Sequence, residues 1–329
     1  MVALALVLAP SSASALTVGT STLTLEVGAQ VFARARGRAA DGGAYAWDMS
    51  LTRARLKLSM RYGAWLRADI EPDFGGADVD LADVFLELAP VEPLAVRVGQ
   101  HKVPFGTLES MGRFGMPSLT RGLVSDIVAD RLGFGGRKFG AKAEWRQRDL
   151  PLKPGLELGA YGEQGATIGD DVALRLGVRA LKGLDAELAG VSKDAALTDA
   201  GRGHVGALSA VYDKKGALGV VELMAGRTRL LSASGVTTGV DATFLAARLL
   251  AAYRFGLGDL GLEPFFGADL FEPNLATADD LGLGLRGGVN LVWLERLRVG
   301  AEADRQMGQV GAVSANRSSF TFFLGVNLE

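Results

Sequence analysis

The chain has 329 residues, a formal net charge of −2 at pH 7, 45 glycines, two histidines and no cysteine. The missing cysteine excludes disulfides and cysteine-based zinc sites, and the near-zero net charge gives no overall basic signal for nucleic acid. The length fits either two soluble domains or one large barrel.

Residues 1–15 form the first predicted element, an apolar stretch that ends in Ala13-Ser14-Ala15. An apolar core followed by an A-x-A box is typical of a secretory signal peptide. The usual preceding basic residues are missing, which indicates a start a few residues upstream; the alternative is a buried N-terminal strand or helix. We predict a signal peptide over 1–15 and one mature domain over 16–329.

The rest of the chain alternates apolar and polar residues, as the faces of a strand do. In the last segment, Phe320, Phe322, Leu324, Val326 and Leu328 fall on one face. No apolar run approaches the roughly 18–20 residues of a spanning helix. The predicted strands cover 22–36, 49–61, 64–71, 79–89, 94–101, 137–146, 155–161, 172–181, 184–191, 204–212, 217–228, 243–254, 260–268, 281–293, 296–304 and 319–328.

The connections alternate in length along the chain. Those after the even-numbered strands are short, for example 62–63 and 182–183, although 147–154 is longer; those after the odd-numbered strands are long, up to 102–136. Outer-membrane barrels have short periplasmic turns and longer outer loops. The pattern therefore predicts an all-β fold, a closed antiparallel transmembrane barrel of sixteen strands.

Aromatic residues cluster near the predicted strand ends, as in the girdles of such barrels. Tyr45, Trp47 and Tyr161 adjoin long connections, and six others adjoin short ones: Tyr62, Trp65, Trp145, Tyr212, Tyr253 and Trp293. The alternative is a large soluble β-protein such as a propeller, but no fixed repeat of about 20–50 residues supports it.

The third long connection, 102–136, is too long and too apolar for a simple loop. It includes Phe105, Met116 and Ile127 among many apolar residues that need packing partners. In a barrel the available space is the lumen, so we predict that this segment folds inward and constricts the channel. A short helix is expected between Ser118 and Leu132.

The stretch Val96-Arg-Val-Gly-Gln-His-Lys-Val-Pro-Phe-Gly106, with Glu109-Ser110 and Arg121 behind it, resembles the phosphate-selective porin O/P family. The positions that match the family pattern are Arg97, Gly99, Gln100, Lys102, Pro104, Phe105, Gly106 and Glu109. The resemblance is clear over 80–145, and elsewhere it is one of architecture. It implies a sixteen-stranded trimeric porin with a basic constriction.

Strand phase places most charged residues on the face opposite the apolar one. Rings of Arg and Lys select anions and phosphate in pores, so these cations form a candidate anion path, although lumen acids could pair with many of them. The candidates are Arg34, Arg53, Arg55, Lys57, Arg97, Lys102, Arg113, Arg121, Arg131, Lys138 and Lys142.

Together these patterns favour an outer-membrane porin for passive diffusion of small hydrophilic solutes, with a moderate preference for anions such as phosphate. The alternatives are a non-selective porin and a structural barrel plugged by its own loops. An outer-membrane enzyme is disfavoured because His101 and His204 lie in dissimilar places and no nucleophile–base set is visible. Expected partners are outer-membrane lipid, lipopolysaccharide, small anions and two further copies in a homotrimer. No cofactor, metal or nucleic acid is expected.

Overall fold

The computed structural model describes residues 16–19, 22–40, 43–162, 170–195, 201–231, 237–277, 280–310, 313–314 and 316–328. The predicted signal peptide, 1–15, lies outside this range and stays a prediction. No helix of the described residues is long and apolar enough to cross a membrane.

The described residues form nineteen strands, of which sixteen are long. The three short ones are Leu16–Gly19 (β1), Phe255–Leu257 (β14) and Val313–Ser314 (β18). The long ones are Leu23–Ala40 (β2), Ala46–Tyr62 (β3), Leu66–Asp73 (β4), Asp80–Val91 (β5), Leu94–Lys102 (β6), Arg137–Arg146 (β7), Gly155–Gly162 (β8), Asp171–Leu181 (β9), Leu184–Ala195 (β10), Gly201–Lys214 (β11), Ala217–Leu231 (β12), Thr237–Tyr253 (β13), Leu260–Glu272 (β15), Gly282–Trp293 (β16), Leu297–Val310 (β17) and Arg317–Asn327 (β19).

The sheet closes on itself. Each long strand pairs antiparallel with its neighbours, and β19 pairs with β2 from Arg317↔Ala40 to Asn327↔Gln30. β1 continues that edge of β2, since Leu16 lies opposite Val27. The predicted all-β closed antiparallel barrel of sixteen strands is confirmed.

Several strands are longer than the sequence predicts. They extend towards the end of the barrel at which β6 ends and 103–136 begins. β10 reaches 195 instead of 191, and β17 reaches 310 instead of 304. Backbone pairing needs only donors and acceptors, so the ladder continues where the apolar residues stop. We call this the long-loop end and the opposite one the short-turn end.

One face of the barrel is apolar and the other polar. A bulge in β3 interrupts the strict alternation of residues between these two faces. The register shifts after Phe32↔Arg53, so that Arg34 lies opposite Ser50. A bulge adds one residue to one strand, which is why Met49 and Leu51 share the apolar face with Leu56. The bulge therefore separates Arg34 from Arg53, since Arg53 lies opposite Phe32 and Arg34 lies opposite Ser50.

The segment 103–136 packs against the polar face. It contains the short helix Thr107–Ser110 (α1) and the π-helix Ser125–Arg131 (α2), which lies within the region where a helix was expected. The largest buried apolar cluster joins this segment to the polar face of β8–β15 through Phe105, Val128 and Phe244, among others. Much of the apolar core is therefore supplied by a connection between strands.

Tyr161 was predicted to belong to an aromatic girdle, and the structure shows otherwise. Its side chain is fully buried on the polar face, where its ring lies 5.4 Å from that of His101. β8 turns its odd positions to this face, as the pairing of Glu157 with Lys142 requires. Tyr161 thus contributes to the packing around 103–136.

Candidate functional site

The stretch that carries the family resemblance has a structural role at the start of 103–136. Gly99 has a φ of 127°, and a Cβ there would lie 2.2 Å from the carbonyl oxygen of Val84, so a side chain would collide with β5. Lys102 Nζ donates to the carbonyl oxygens of Glu109 and Met111 at 2.9 and 3.2 Å. Lys102 therefore holds the end of α1.

Three carboxylates on distant strands bind backbone amides of this segment. Glu222 on β12 accepts from the amide of Thr107 at 2.8 Å, and Asp269 on β15 accepts from that of Leu123 at 2.8 Å. Glu302 on β17 accepts from Leu119 N and Ser118 Oγ, both at 2.8 Å. We call Glu222, Asp269 and Glu302 the anchoring carboxylates, because they fix 103–136 across the barrel from β6 and β7.

Two of the anchoring carboxylates are buried beside arginines. Arg248 pairs with Glu222 and Arg286 pairs with Asp269. Breaking a buried pair by removing one partner leaves an uncompensated charge and is strongly destabilising. Each arginine is therefore the partner that its anchor needs in the buried wall, and removing it would weaken the hold on the segment's amides.

Glu109 links the segment to the same network. It lies 3.5 Å from Arg248 Nη1 and 3.6 Å from Arg121 Nε, and it accepts from Ser125 Oγ. Burial alone would raise the pKa of Glu109, but the charges of Arg248 and Arg121 and the Ser125 hydrogen bond outweigh it and hold the pKa below its ordinary value. Glu109 is therefore an anion that ties α1 to α2.

We expect Glu302→Ala to loosen the middle of the segment while leaving the barrel intact. The variant removes the acceptor of Leu119 N, and a hydrogen bond to a charged group contributes about 1.5–3 kcal/mol. Amide hydrogen exchange at Leu119 should accelerate by one to two orders of magnitude. Glu26→Ala, which removes a carboxylate near Arg61 at the short-turn end, is the control and should leave this exchange unchanged. Equal exchange in both variants would show that Glu302 does not anchor the segment.

A polar cavity of about 190 Å³ lies between the segment and the wall formed by β2, β17 and β19. Cations and acids both line it. Its charged lining residues are Arg34, Arg36, Glu109, Arg113, Arg121, Asp126, Asp130, Asp304 and Arg317.

The wall cations of this region bond to neutral groups. Arg34 Nε donates to Ser50 Oγ at 3.0 Å, Arg36 Nη2 to Ser319 Oγ at 3.1 Å, and Arg53 Nη1 to Gln30 Oε1 at 3.3 Å. Within the described part of the chain, none of these three has a carboxylate oxygen within 4.0 Å. We call Arg34, Arg36 and Arg53 the wall arginines; no described carboxylate compensates their charge directly.

Opposite the wall arginines, the segment presents charges of both signs. Asp126 and Asp130 lie on α2, and Asp126 pairs with Arg317 of β19 at 2.9 Å. Burial, then Glu109 and Asp126, raise the pKa of Asp130. Burial, then Arg121, lower the pKa of Arg113 to about 10, so Arg113 stays protonated at neutral pH.

Five of the predicted site cations have carboxylate partners. These pairs are Arg55 with Glu71 and Asp73, Arg97 with Glu87, Arg121 with Glu109, Lys138 with Asp171, and Lys142 with Glu157. Each acid cancels much of the field that its cation would exert on a solute. Lys57 lies on the polar face of β3 opposite Gly28, and Arg131 is exposed at the end of α2.

Sequence reasoning left some contributors to this site outside its list of candidates. Arg317 precedes the predicted last strand, and Asp126 and Asp130 fall in a connection. Glu222 and Asp269 were not singled out as acids; strand phase could have found Glu222, which lies at a polar-face position of the predicted strand 217–228. What each acid binds depends on residues more than 100 positions away.

Comparison with known proteins finds solved structures of similar fold but no match in sequence. No family model matches the chain, and no curated protein matches it in sequence. Among solved structures, an anion-selective porin from Comamonas acidovorans aligns with a TM-score of 0.68 and 14% identity, over 93% of this chain and 99% of that one. OmpF of Salmonella typhi, solved with daunomycin, aligns with a TM-score of 0.69 and 12% identity, over 95% and 100%.

The chain has the fold of an outer-membrane porin. OmpT of Vibrio cholerae, an outer membrane protein in its trimer form, aligns as well, with a TM-score of 0.64 and 11% identity over 93% of this chain and 99% of that one. These similarities support the general porin fold; the predicted resemblance to the phosphate-selective O/P family has no matching family model behind it.

Proposed function

We propose that this protein is an outer-membrane porin through which small hydrophilic solutes diffuse passively. The barrel fold and its polar and apolar faces support this function, because a barrel closed by its own hydrogen bonds can face hydrocarbon on one side and water on the other. The predicted signal peptide over 1–15 accounts for export. The short-turn end would face the periplasm and the long-loop end the outside.

The observation that carries the proposal is the position of 103–136. The anchoring carboxylates hold this segment on the polar face across from β6 and β7, and the polar cavity remains between it and two of the wall arginines, Arg34 and Arg36. In this proposal 103–136 is the constriction and the cavity is part of the path. Solutes would pass between uncompensated cations on one side and α2 on the other.

We propose a moderate preference for anions, with phosphate as the solute suggested by the O/P resemblance. Guanidinium groups offer phosphate a planar pair of donors, and a low-dielectric wall focuses the field of clustered cations. Asp126, Asp130 and Asp304 line the same cavity, so cations would be slowed but not excluded. The similar Comamonas protein is described as anion-selective.

We further propose that the native form is a homotrimer in contact with outer-membrane lipid and lipopolysaccharide. A trimer form is described for the similar Vibrio protein. The apolar face carries exposed residues such as Met49, Leu58 and Phe322, which need lipid or another subunit to cover them.

Planar-bilayer recording of the purified protein in a KCl gradient tests this function. We expect steady single-channel steps and a zero-current potential whose sign shows that chloride passes more readily than potassium. A protein that inserts but gives no steps would exclude the porin, and a potential of the opposite sign would exclude the anion preference.

A barrel plugged by its own loop is the second candidate. The observation that favours it is the number of anchors on 103–136, which bonds to β12, β15 and β17 and leaves a cavity of about 190 Å³ beside β2, β17 and β19. The same recording distinguishes the two, because a plugged barrel would insert without conducting.

A further inference from the structure

The apolar face of the barrel changes character at the long-loop ends of β11, β12 and β13. Over most of these strands the exposed residues are aliphatic, as with Leu208, Leu223 and Leu245. Closer to the long-loop end, the same face of these strands carries charged and polar residues. They are Arg202 and His204 on β11, Arg227 and Arg229 on β12, and Asp241 and Thr243 on β13.

Strand phase shows that these side chains point away from 103–136. On β12 the even-numbered Glu222 contacts the segment through Thr107 N, so the odd-numbered Arg227 and Arg229 belong to the other face. On β11 the odd-numbered Ser209 contacts Thr107 Oγ1, so the even-numbered His204 belongs to the other face. The cations are therefore on the outside of the barrel and outside the proposed solute path.

Cross-strand pairing brings these residues together. His204 lies directly opposite Arg227, and Arg227 lies opposite Thr243. Arg229 lies opposite Asp241. Side chains opposite one another on one face are about 4.5–5.5 Å apart at Cβ, so the guanidinium groups of Arg227 and Arg229, with His204 beside them, can reach a single ligand. We call Arg202, His204, Arg227 and Arg229 the outer basic patch.

The charges of Arg227 and Arg229 are only lightly compensated. Arg227 contacts Asp241 at 3.4 Å, and their side chains are 68% and 53% exposed, so the pair is weak in water. Arg229 has no carboxylate within 4.0 Å among the residues that the structure describes. Asp241 is the only acid among the described outward side chains of the patch. An anion that binds Arg227 and Arg229 would therefore compete with one weakly held carboxylate, that of Asp241.

The distance of the patch from the short-turn end shows that it lies at one border of the apolar band. Tyr253 lies opposite Ala217 at the short-turn end of β12, and Arg227 is ten positions further along that strand. Strands rise about 3.3 Å per residue and tilt by about 40° in these barrels, so the two levels are roughly 25 Å apart, the height of the apolar band. An aromatic residue marks one border of the band and Arg227 the other.

We propose that the outer basic patch binds the phosphorylated headgroup of an outer-leaflet glycolipid. The inference rests on the proposed outer-membrane location, which puts the long-loop end in the outer leaflet. Lipopolysaccharide supplies phosphate groups at the border of the hydrocarbon, and two neighbouring arginines can bind a phosphate through paired donors. The aliphatic residues below the patch, such as Leu223 and Leu245, would contact its acyl chains.

The test measures binding of purified lipopolysaccharide to the detergent-solubilised barrel. The variant Arg227→Gln with Arg229→Gln should bind about thirtyfold more weakly, since each cation near a charged headgroup contributes about a factor of five. The control, Lys182→Gln with Lys215→Gln, removes two charges from the short-turn end and should bind as the wild type does. The charge-preserving Arg227→Lys with Arg229→Lys should keep most of the binding, which separates loss of charge from loss of fold.

Two further probes separate a lipid from free phosphate. Lipopolysaccharide treated with phosphatase should bind about as weakly as the double Gln variant binds the intact lipid. Inorganic phosphate at the same phosphate concentration should not displace the intact lipid. Equal binding by the double Gln variant and the control, or full displacement by inorganic phosphate, would overturn the proposal.

Conductance keeps this proposal distinct from the porin function. Bilayer recording of the double Gln variant should match the wild type, because the patch faces away from 103–136. Normal conductance with unchanged lipid binding in this variant would reject the proposed lipid-binding role of the patch without affecting the porin function. Patch-dependent lipid binding in a barrel that does not conduct would reject the porin function alone.

Discussion

Replacing the wall arginines Arg34, Arg36 and Arg53 with glutamine is expected to move the zero-current potential towards cation selectivity. The triple variant removes three charges that no described carboxylate compensates and keeps long polar side chains. The four acids that line the cavity then outnumber its three remaining cations, Arg113, Arg121 and Arg317. The shift should be largest in dilute KCl, because the Debye length is about 30 Å at 0.01 M and only about 3 Å at 1 M.

Arg55 is left in place in this variant for a structural reason. It bonds to Glu71 and Asp73, each at 2.6 Å, so its removal would also release two carboxylates and exaggerate the effect. Asp130→Asn, which removes a cavity acid that has no cation within 4.0 Å among the described residues, is the change of opposite sign and should move the potential towards anion selectivity. If neither variant changes the potential at low salt, the ions do not pass through this cavity.

Deleting residues 107–130 is expected to raise single-channel conductance severalfold and to admit larger sugars. The deletion removes α1, most of α2 and the residues that bond to the anchoring carboxylates, while all of the strands remain. The wall pairs Arg248–Glu222 and Arg286–Asp269 stay intact, whereas Glu302 exchanges its bonds to Ser118, Leu119 and Thr120 for lumen water. Conductance steps and liposome swelling with sugars of increasing size give the measurement.

A deletion within another connection separates the effect of the constriction from that of shortening any loop. Removing part of 273–277, between β15 and β16, should leave the conductance as it is, because no contact of the polar cavity involves that connection. Unchanged conductance after the 107–130 deletion, in a barrel that folds normally, would place the narrowest point elsewhere.

The strands of this protein were predictable from the sequence because a strand exposes alternate residues to two environments. Phe320, Phe322 and Leu324 show this alternation in the last strand. The alternating loop lengths indicate which connections lie at the same end of the barrel. Local patterns of this kind predicted all sixteen long strands and an apolar segment over 102–136 that needs a packing surface.

Only the tertiary structure decided what each charged residue contacts. Strand alternation put Arg55 and Arg34 on the same face. Arg55 nevertheless pairs with Glu71 and Asp73 on β4, whereas Arg34 bonds to Ser50, which the one-residue bulge in β3 places opposite it. Glu302 binds the amide of Leu119 from 183 positions away. Alternation determines the face on which a side chain lies, but its partner depends on strand register and on the path of 103–136, which are set by contacts distant in sequence.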